Sequence, residues 1–365
     1  MSDERERSLD RRTLLAGVAG TLAAAGSAGS LTWPESSKAA VLGPAGAGGL
    51  VLETVTGPVK GSQIRLAMAH EHLFTDFFGA TDSGYMDVDW SNITGACVTR
   101  MLELRAQEVN LLIEWSPIGI GRNVLMMRDV SRQTGMHIVC TTGIYKSFIP
   151  PALKDMSVAE LANHFYQELT QGIDGTTIRA GRVKIATTET GPTTSETKIH
   201  RAAARAAKRA GATIGLHSPF ADATRFVVKT LAEEGFVDLR RFVWGHAQPS
   251  SLEDHKAMAA RGATIQYDAI SDENPSDPFF HGPTDDESML DRIQGMVEAG
   301  FGDRVLVSPD ACVALNPPKF QYSRDPVYLY RTFAPKLEAR IGKAAARRIF
   351  QDNVVRAFRR GSNVG

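Results

Sequence analysis

Cysteine is scarce in this chain, with only Cys97, Cys140 and Cys312 among 365 residues. An odd, scattered set gives no disulfide framework, so all three read as structural thiols: Cys140 lies in an apolar run and reads as core, and Cys312 lies near a candidate ligand. An excess of either charge is also missing. Lys plus Arg and Asp plus Glu both total 41, for a formal net charge of +0. Without a basic surplus nothing marks a face for nucleic acid, and that class of partner is excluded. Long hydrophobic runs are lacking as well. The stretch "TLLAGVAGTLAAAGSAGS" (13–30) comes nearest, and it is too short and too rich in Gly and Ala to span a bilayer well. What is present is an ordinary hydrophobic fraction of 43%, enough for a sizeable core. The length admits one large α/β barrel or two ordinary domains.

The charged "SDERERSLDRR" before that stretch supplies the n-region, and the stretch itself the h-region, of an export signal. Arg11-Arg12, followed by Leu14 and Leu15, resembles a twin-arginine signal, and Ala25 and Ala28 suit a peptidase site. Residues 1–45 are therefore expected to be a signal plus flexible linker, cut between Ala25 and Ala40. The expected partner is the twin-arginine export machinery, and the destination the periplasm or the exterior. Residues 46–365 are expected to form the folded domain.

Beyond Gly49, eight short apolar runs alternate with segments of helical spacing. They are "IRLAMAH" (64–70), "NLLIEWS" (110–116), "HIVCTTG" (137–143), "GRVKIAT" (181–187), "ATIGLHS" (212–218), "RFVWGHA" (241–247), "ATIQYDA" (263–269) and "RVLVSPD" (304–310). Among the helical segments, 195–211 opens on Ser195 in capping-box style and ends at Gly211, suited to a C-cap. Runs that are apolar throughout suit parallel strands covered on both faces. Such alternation fits a (β/α)₈ barrel or a doubly wound open sheet, and periodicity alone does not decide closure.

The polar residues decide it. His70, Glu114, Lys184, His217, His246 and Asp310 all fall at or near the ends of their runs, as in a barrel whose site is built at the C-terminal ends of its strands. His70 and His72 are two apart, so on an extended strand both imidazoles face one way while Glu71 faces the other. Two further His and one Asp complete a donor set that zinc, manganese, cobalt or iron accepts. Lys184 is the odd member. A buried ammonium near cations is disfavoured, and a neutral amine can take up carbon dioxide to give an anionic carbamate.

The chain resembles the phosphotriesterase-like family of the amidohydrolase superfamily. The stretches that carry the resemblance are "VTGPV" (55–59), "HEHL" (70–73), "SPIGIGRNV" (116–124), "VSRQTGMHIVCTTGIY" (130–145), "GIDGTTIRAGRVKIATTE" (172–189), "RAAARAAKRAGATIGLHS" (201–218), "WGHAQ" (244–248), "VSPDA" (307–311) and "IFQDNVVRAF" (349–358). The resemblance implies an α/β fold, a (β/α)₈ TIM barrel, with a binuclear metal centre. His70 and His72 would bind one metal, a carboxylated Lys184 would bridge, His217 and His246 would bind the other, and Asp310 would ligate from the last strand. It further implies hydrolysis of an ester-type bond by a metal-bridging hydroxide. Asp310 would accept the proton, and His246 or a neighbouring polar group would aid the relay. Homodimers are common in the family.

The match thins at the pocket. Where the lactonase branch has Arg-Tyr after an aspartate, this chain has Asp268-Ala269-Ile270-Ser271; Ala311 and Cys312 stand where the phosphotriester-cleaving branch has tryptophan. Tyr145 resembles the tyrosine that approaches the metals in lactonases. Trp115, Phe74 and Phe77 are candidate pocket walls, and the acidic loop 271–289, with Phe279, Phe280 and His281, is a candidate lid. The expected substrate is a small lactone or carboxylic ester. A phosphotriester is the alternative, and a non-catalytic metal-holding relative is the competing class.

Overall fold

The computed structural model describes residues 47–271, 285–316 and 324–361. The expected signal and linker, and most of the candidate lid with Phe279, Phe280 and His281, lie outside the described residues.

The chain enters through an antiparallel hairpin, β1 (Val51–Thr54) and β2 (Gly57–Lys60). The barrel strands follow in order: β3 (Leu66–Asp76), β4 (Val109–Glu114), β5 (His137–Val139), β6 (Thr141–Thr142), β7 (Arg182–Ala186), β8 (Ile214–His217), β9 (Phe242–Gly245), β10 (Thr264–Tyr267), β11 (Val305–Val307) and β12 (Cys312–Asn316). Each of the eight apolar runs contains a strand.

Pairing settles the closure that periodicity left open. One parallel ladder runs β11-β10-β9-β8-β7-β6 and another β12-β3-β4-β5. β5 and β6 are one strand interrupted at Cys140, and β11 continues across residues 308–311 into β12, where Cys312 pairs with His72. The ring is therefore a closed (β/α)₈ barrel. Every residue of β4, β7, β9 and β10 is buried, because parallel strands here are covered by helices outside and side chains inside.

The helices pack by an apolar face. Along Thr194–Ala210 the buried positions include Ile199, Ala203, Ala206, Ala207 and Ala210, a stripe of helical period whose small side chains let the helix sit close to its neighbours. Its cap corrects the sequence reading. Thr193, not Ser195, closes the capping box with Glu196, because only residues three apart can exchange those two bonds. Gly211 ends the helix at φ 64°, as expected. One end of the barrel is filled by an apolar cluster that includes Leu52, Ile64, Ile113, Leu306, Val354 and Phe358. Among the described residues, no helix is long and apolar enough to cross a membrane.

Candidate metal centre

At the opposite end the strands finish in left-handed backbone. His246 (φ 61°), Ala269 (φ 69°) and Asp310 (φ 54°) follow β9, β10 and β11, a conformation costing roughly 1–3 kcal/mol per non-glycine residue. Local bonds hold it. The His246 amide donates to Asp268 Oδ2 at 2.9 Å, and Arg324 Nη1 donates to the Pro309 and Asp310 carbonyls at 3.0 and 3.1 Å.

The His-x-His pair sits on β3, with both rings tied from behind. Ser116 Oγ donates to the Phe74 carbonyl at 2.8 Å, so its oxygen accepts from His72 Nδ1 at 2.9 Å. His70 Nδ1 lies 3.2 Å from Asp268 Oδ2 and donates to that carboxylate. Both Nε2 atoms are then bare lone pairs. They face Asp310 Oδ1 from 3.4 Å (His70) and 3.2 Å (His72). Three electron-rich atoms at that spacing repel unless a positive charge joins them. Burial holds the His70 pKa well below 6.5 and so disfavours a proton, whereas a divalent cation fits the donor set. Asp310 suits that role: burial pushes its pKa up, but positive charge among His70, His72 and His246 outweighs burial and holds it well down, so the carboxylate is anionic once a cation joins them.

A second group of three, His70, His246 and Asp268, also places its donor atoms within 4.8 Å of one another. His246 continues the cluster toward His217, with ring centroids 4.3 Å apart. The Tyr145 hydroxyl is 3.3 Å from His217 Nε2. Lys184 on β7 is buried, and desolvation first, then the charge of Arg182, drives its pKa well below 10.5. A neutral amine is the form that reacts with carbon dioxide. The strand ends thus bring together all six expected ligand residues, and Tyr145 reaches the same cluster.

Two expectations change. Trp115 is not a pocket wall: it is completely buried, belongs to the apolar cluster, and stacks beneath His70 with ring centroids 3.8 Å apart. Its residue lies just past the end of β4, and the indole folds inward to donate from Nε1 to the Ala69 carbonyl at 2.8 Å. Phe74 is buried edge-on against Trp90 at 5.0 Å, which is packing, while Phe77 is partly exposed. Glu71, directed away from the His pair, accepts from Ser308 Oγ at 2.8 Å and the Ala311 amide at 2.7 Å. It fastens the first strand to the break in the eighth. The three cysteines are buried free thiols.

Asp268 is the residue that sequence reasoning left unassigned. It is fully buried and accepts from the His246 amide, His70 Nδ1 and, at 2.7 Å, Gln266 Nε2. The signal was in the text: Asp268 is the next-to-last residue of "ATIQYDA", the same strand-end position that identified the others.

A closed parallel barrel with its histidines, lysine and carboxylates gathered at the C-terminal strand ends is a TIM-barrel protein carrying its candidate site where such barrels carry theirs. The chain belongs to the Phosphotriesterase family, which it matches over residues 50–358. It is 32% identical over 274 residues to the phosphotriesterase homology protein of Escherichia coli K12, covering 74% of this chain and 89% of that one. Among solved structures, a variant of the organophosphorus hydrolase from Deinococcus radiodurans superposes with a TM-score of 0.73 at 25% identity, over 85% of this chain and 97% of that one. A variant of a phosphotriesterase-like lactonase from the same organism gives a TM-score of 0.71 at 24% identity, over 84% and 99%.

Proposed function

We propose that this protein is a binuclear metal-dependent hydrolase acting on an ester-type bond, with a lactone or carboxylic ester as substrate. The observation that carries the reading is the meeting of the His70 and His72 Nε2 lone pairs with Asp310 Oδ1. His70, His72, Lys184, His217, His246 and Asp310 would hold two divalent ions, zinc first and manganese, cobalt or iron as alternatives. Bound there, the ions would supply Lewis acidity that lowers the pKa of water and polarises the substrate's oxygen.

The chain's own groups do the rest. The neutral Lys184 Nζ would add to the carbon of carbon dioxide, the N–C bond forming as one C=O π bond breaks onto oxygen and one N–H proton leaves, so that an uncharged amine becomes an anionic carbamate. Asp310, the carboxylate facing the His70 and His72 nitrogens, would accept the proton of the attacking water, and His246 would be the next base beside it. The Tyr145 hydroxyl, 3.3 Å from His217 Nε2, would orient the substrate. Export by the twin-arginine route, giving a periplasmic or extracellular enzyme, is part of the same proposal and rests on the sequence of residues 1–45.

Proton release by the metal-replete protein, measured on matched lactones, aryl esters and phosphotriesters, tests the reading, with Lys184→Ala alongside. The expected outcome is turnover of a lactone or ester that the variant loses. Turnover confined to phosphotriesters would favour the bond suggested by the name of the similar organophosphorus hydrolase. Metal binding without turnover across wide panels would instead mark a binding protein.

A further inference from the structure

Beneath the candidate ligands lies a stack of side chains that the reaction does not use. The Trp115 indole carries the His70 ring at 3.8 Å, nearly parallel at 19°, and Lys184 Nζ at 4.1 Å from its centroid. The Arg182 guanidinium carbon lies 3.7 Å from the same ring. Arg182 is itself fully buried. The one hydrogen bond of its guanidinium within the described residues runs from Nη2 to the Glu114 carbonyl at 3.3 Å, and Nε and Nη1 have no partner. The indole is therefore the principal support of this guanidinium, and Phe358 completes the column, 5.2 Å from Arg182 and edge-on to Trp115 at 6.2 Å.

Two glycines make room for it. A Cβ on Gly215 of β8 would stand 2.5 Å from Arg182 Nη1 and 2.8 Å from Trp115 Cη2, and one on Gly245 of β9 would stand 3.4 Å from Trp115 Cζ3. Starting just past β4, the indole thus crosses the barrel to β8 and β9, filling a layer that four side chains from alternate strands ordinarily share.

We propose that Trp115 and Arg182 are positioning residues for the metal centre: the stacked indole and guanidinium fix His70 and Lys184 at one height and spacing. The proposal rests on the binuclear reading above. A rigid plane touches one ligand from β3 and one from β7, and among the described residues no side-chain hydrogen bond of Lys184 duplicates that support. Without the plane, His70 keeps its bond to Asp268, but Lys184 loses the surface on which its amine rests.

Cobalt titration of the full-length protein tests this, read by the visible d–d spectrum and by metal stoichiometry, in Trp115→Leu, Trp115→Phe and Arg182→Met. Phe165→Leu, in the helix Val158–Thr170, serves as an equally buried control. Trp115→Leu should bind cobalt about tenfold or more weakly with shifted bands, the size typical of lost support behind a ligand. Arg182→Met should shift the bands less, and Trp115→Phe, which restores a flat ring, should recover most of the native spectrum. Phe165→Leu should lower the melting temperature and leave the spectrum unchanged. Native affinity and bands in Trp115→Leu and Arg182→Met overturn the inference and leave the binuclear reading intact. Should Trp115→Leu not fold, native affinity and bands in Arg182→Met alone overturn it. Failure of the unmodified protein to bind cobalt overturns the binuclear reading and the inference with it.

Discussion

The two ends of the barrel are built from the same eight strands by opposite means. At the apolar end, Leu52, Ile64, Val354 and Phe358 fill the space with hydrocarbon, and stability comes from area removed from water. At the C-terminal end, three successive strands finish in left-handed backbone at His246, Ala269 and Asp310, and buried lone pairs face a buried carboxylate. One end gains stability from packing, and the other spends some of it to hold groups that repel one another. The column of Phe358, Arg182, Trp115 and His70 joins the two.

The comparison is broken most directly at the strained end. Asp310→Asn should lower turnover by about 10²–10⁴, the range for a lost general base, without lowering the melting temperature of the metal-free protein. A large fall in that temperature would show that this end also supports the fold. Next in size is the ion pair beside β6. Arg122 donates to Glu168 through Nη1 and Nη2 at 2.6 and 2.7 Å, both residues buried. Glu168→Ala leaves that guanidinium with only the longer contact to the largely exposed Asp174, at 3.3 Å, and should cost about 3–5 kcal/mol in denaturant unfolding.

The same pair predicts a pH dependence. Burial pushes Glu168 up, but Arg122 outweighs it, and the folded pKa falls below the ordinary 4.5. Its contribution is present above 4.5 and is lost as pH falls below that value through the folded pKa. In Glu168→Gln the acid-side loss of stability should be shallower than in the native protein, measured by unfolding at a series of pH values.

At the apolar end, Leu52→Ala should cost about 2–5 kcal/mol while the folded fraction keeps its turnover per molecule. Loss of turnover beyond the unfolded fraction would mean that the two ends are coupled outside the Trp115 column. The smallest effect belongs to the helix layer around the barrel. Thr193→Ala removes the helix cap that Glu196 answers, should cost about 1 kcal/mol, and should leave activity alone.

Much of this was legible in the text. The eight strands were readable because burial on both faces demands uninterrupted apolar runs. The metal-type cluster was readable because a parallel barrel places all its strand ends at one mouth. Asp268 was overlooked although it follows the same rule, since its partners, His70 and the His246 amide, lie far away in sequence. Trp115 was misread because a residue just past a strand has no fixed direction in sequence. Its inward turn depends on Gly215 and Gly245, some 100 and 130 residues later.

By itself the sequence determined the repeating βα pattern, the donors at the strand ends and the His-x-His face, because backbone periodicity and residue chemistry are local properties. Tertiary structure alone decided that the ring closes through β12 on β3, that Asp310 meets two bare imidazole nitrogens, and that an indole crosses the barrel beneath them. Those outcomes depend on atoms brought within a few ångströms from strands far apart in the chain, where packing, not propensity, sets the distance.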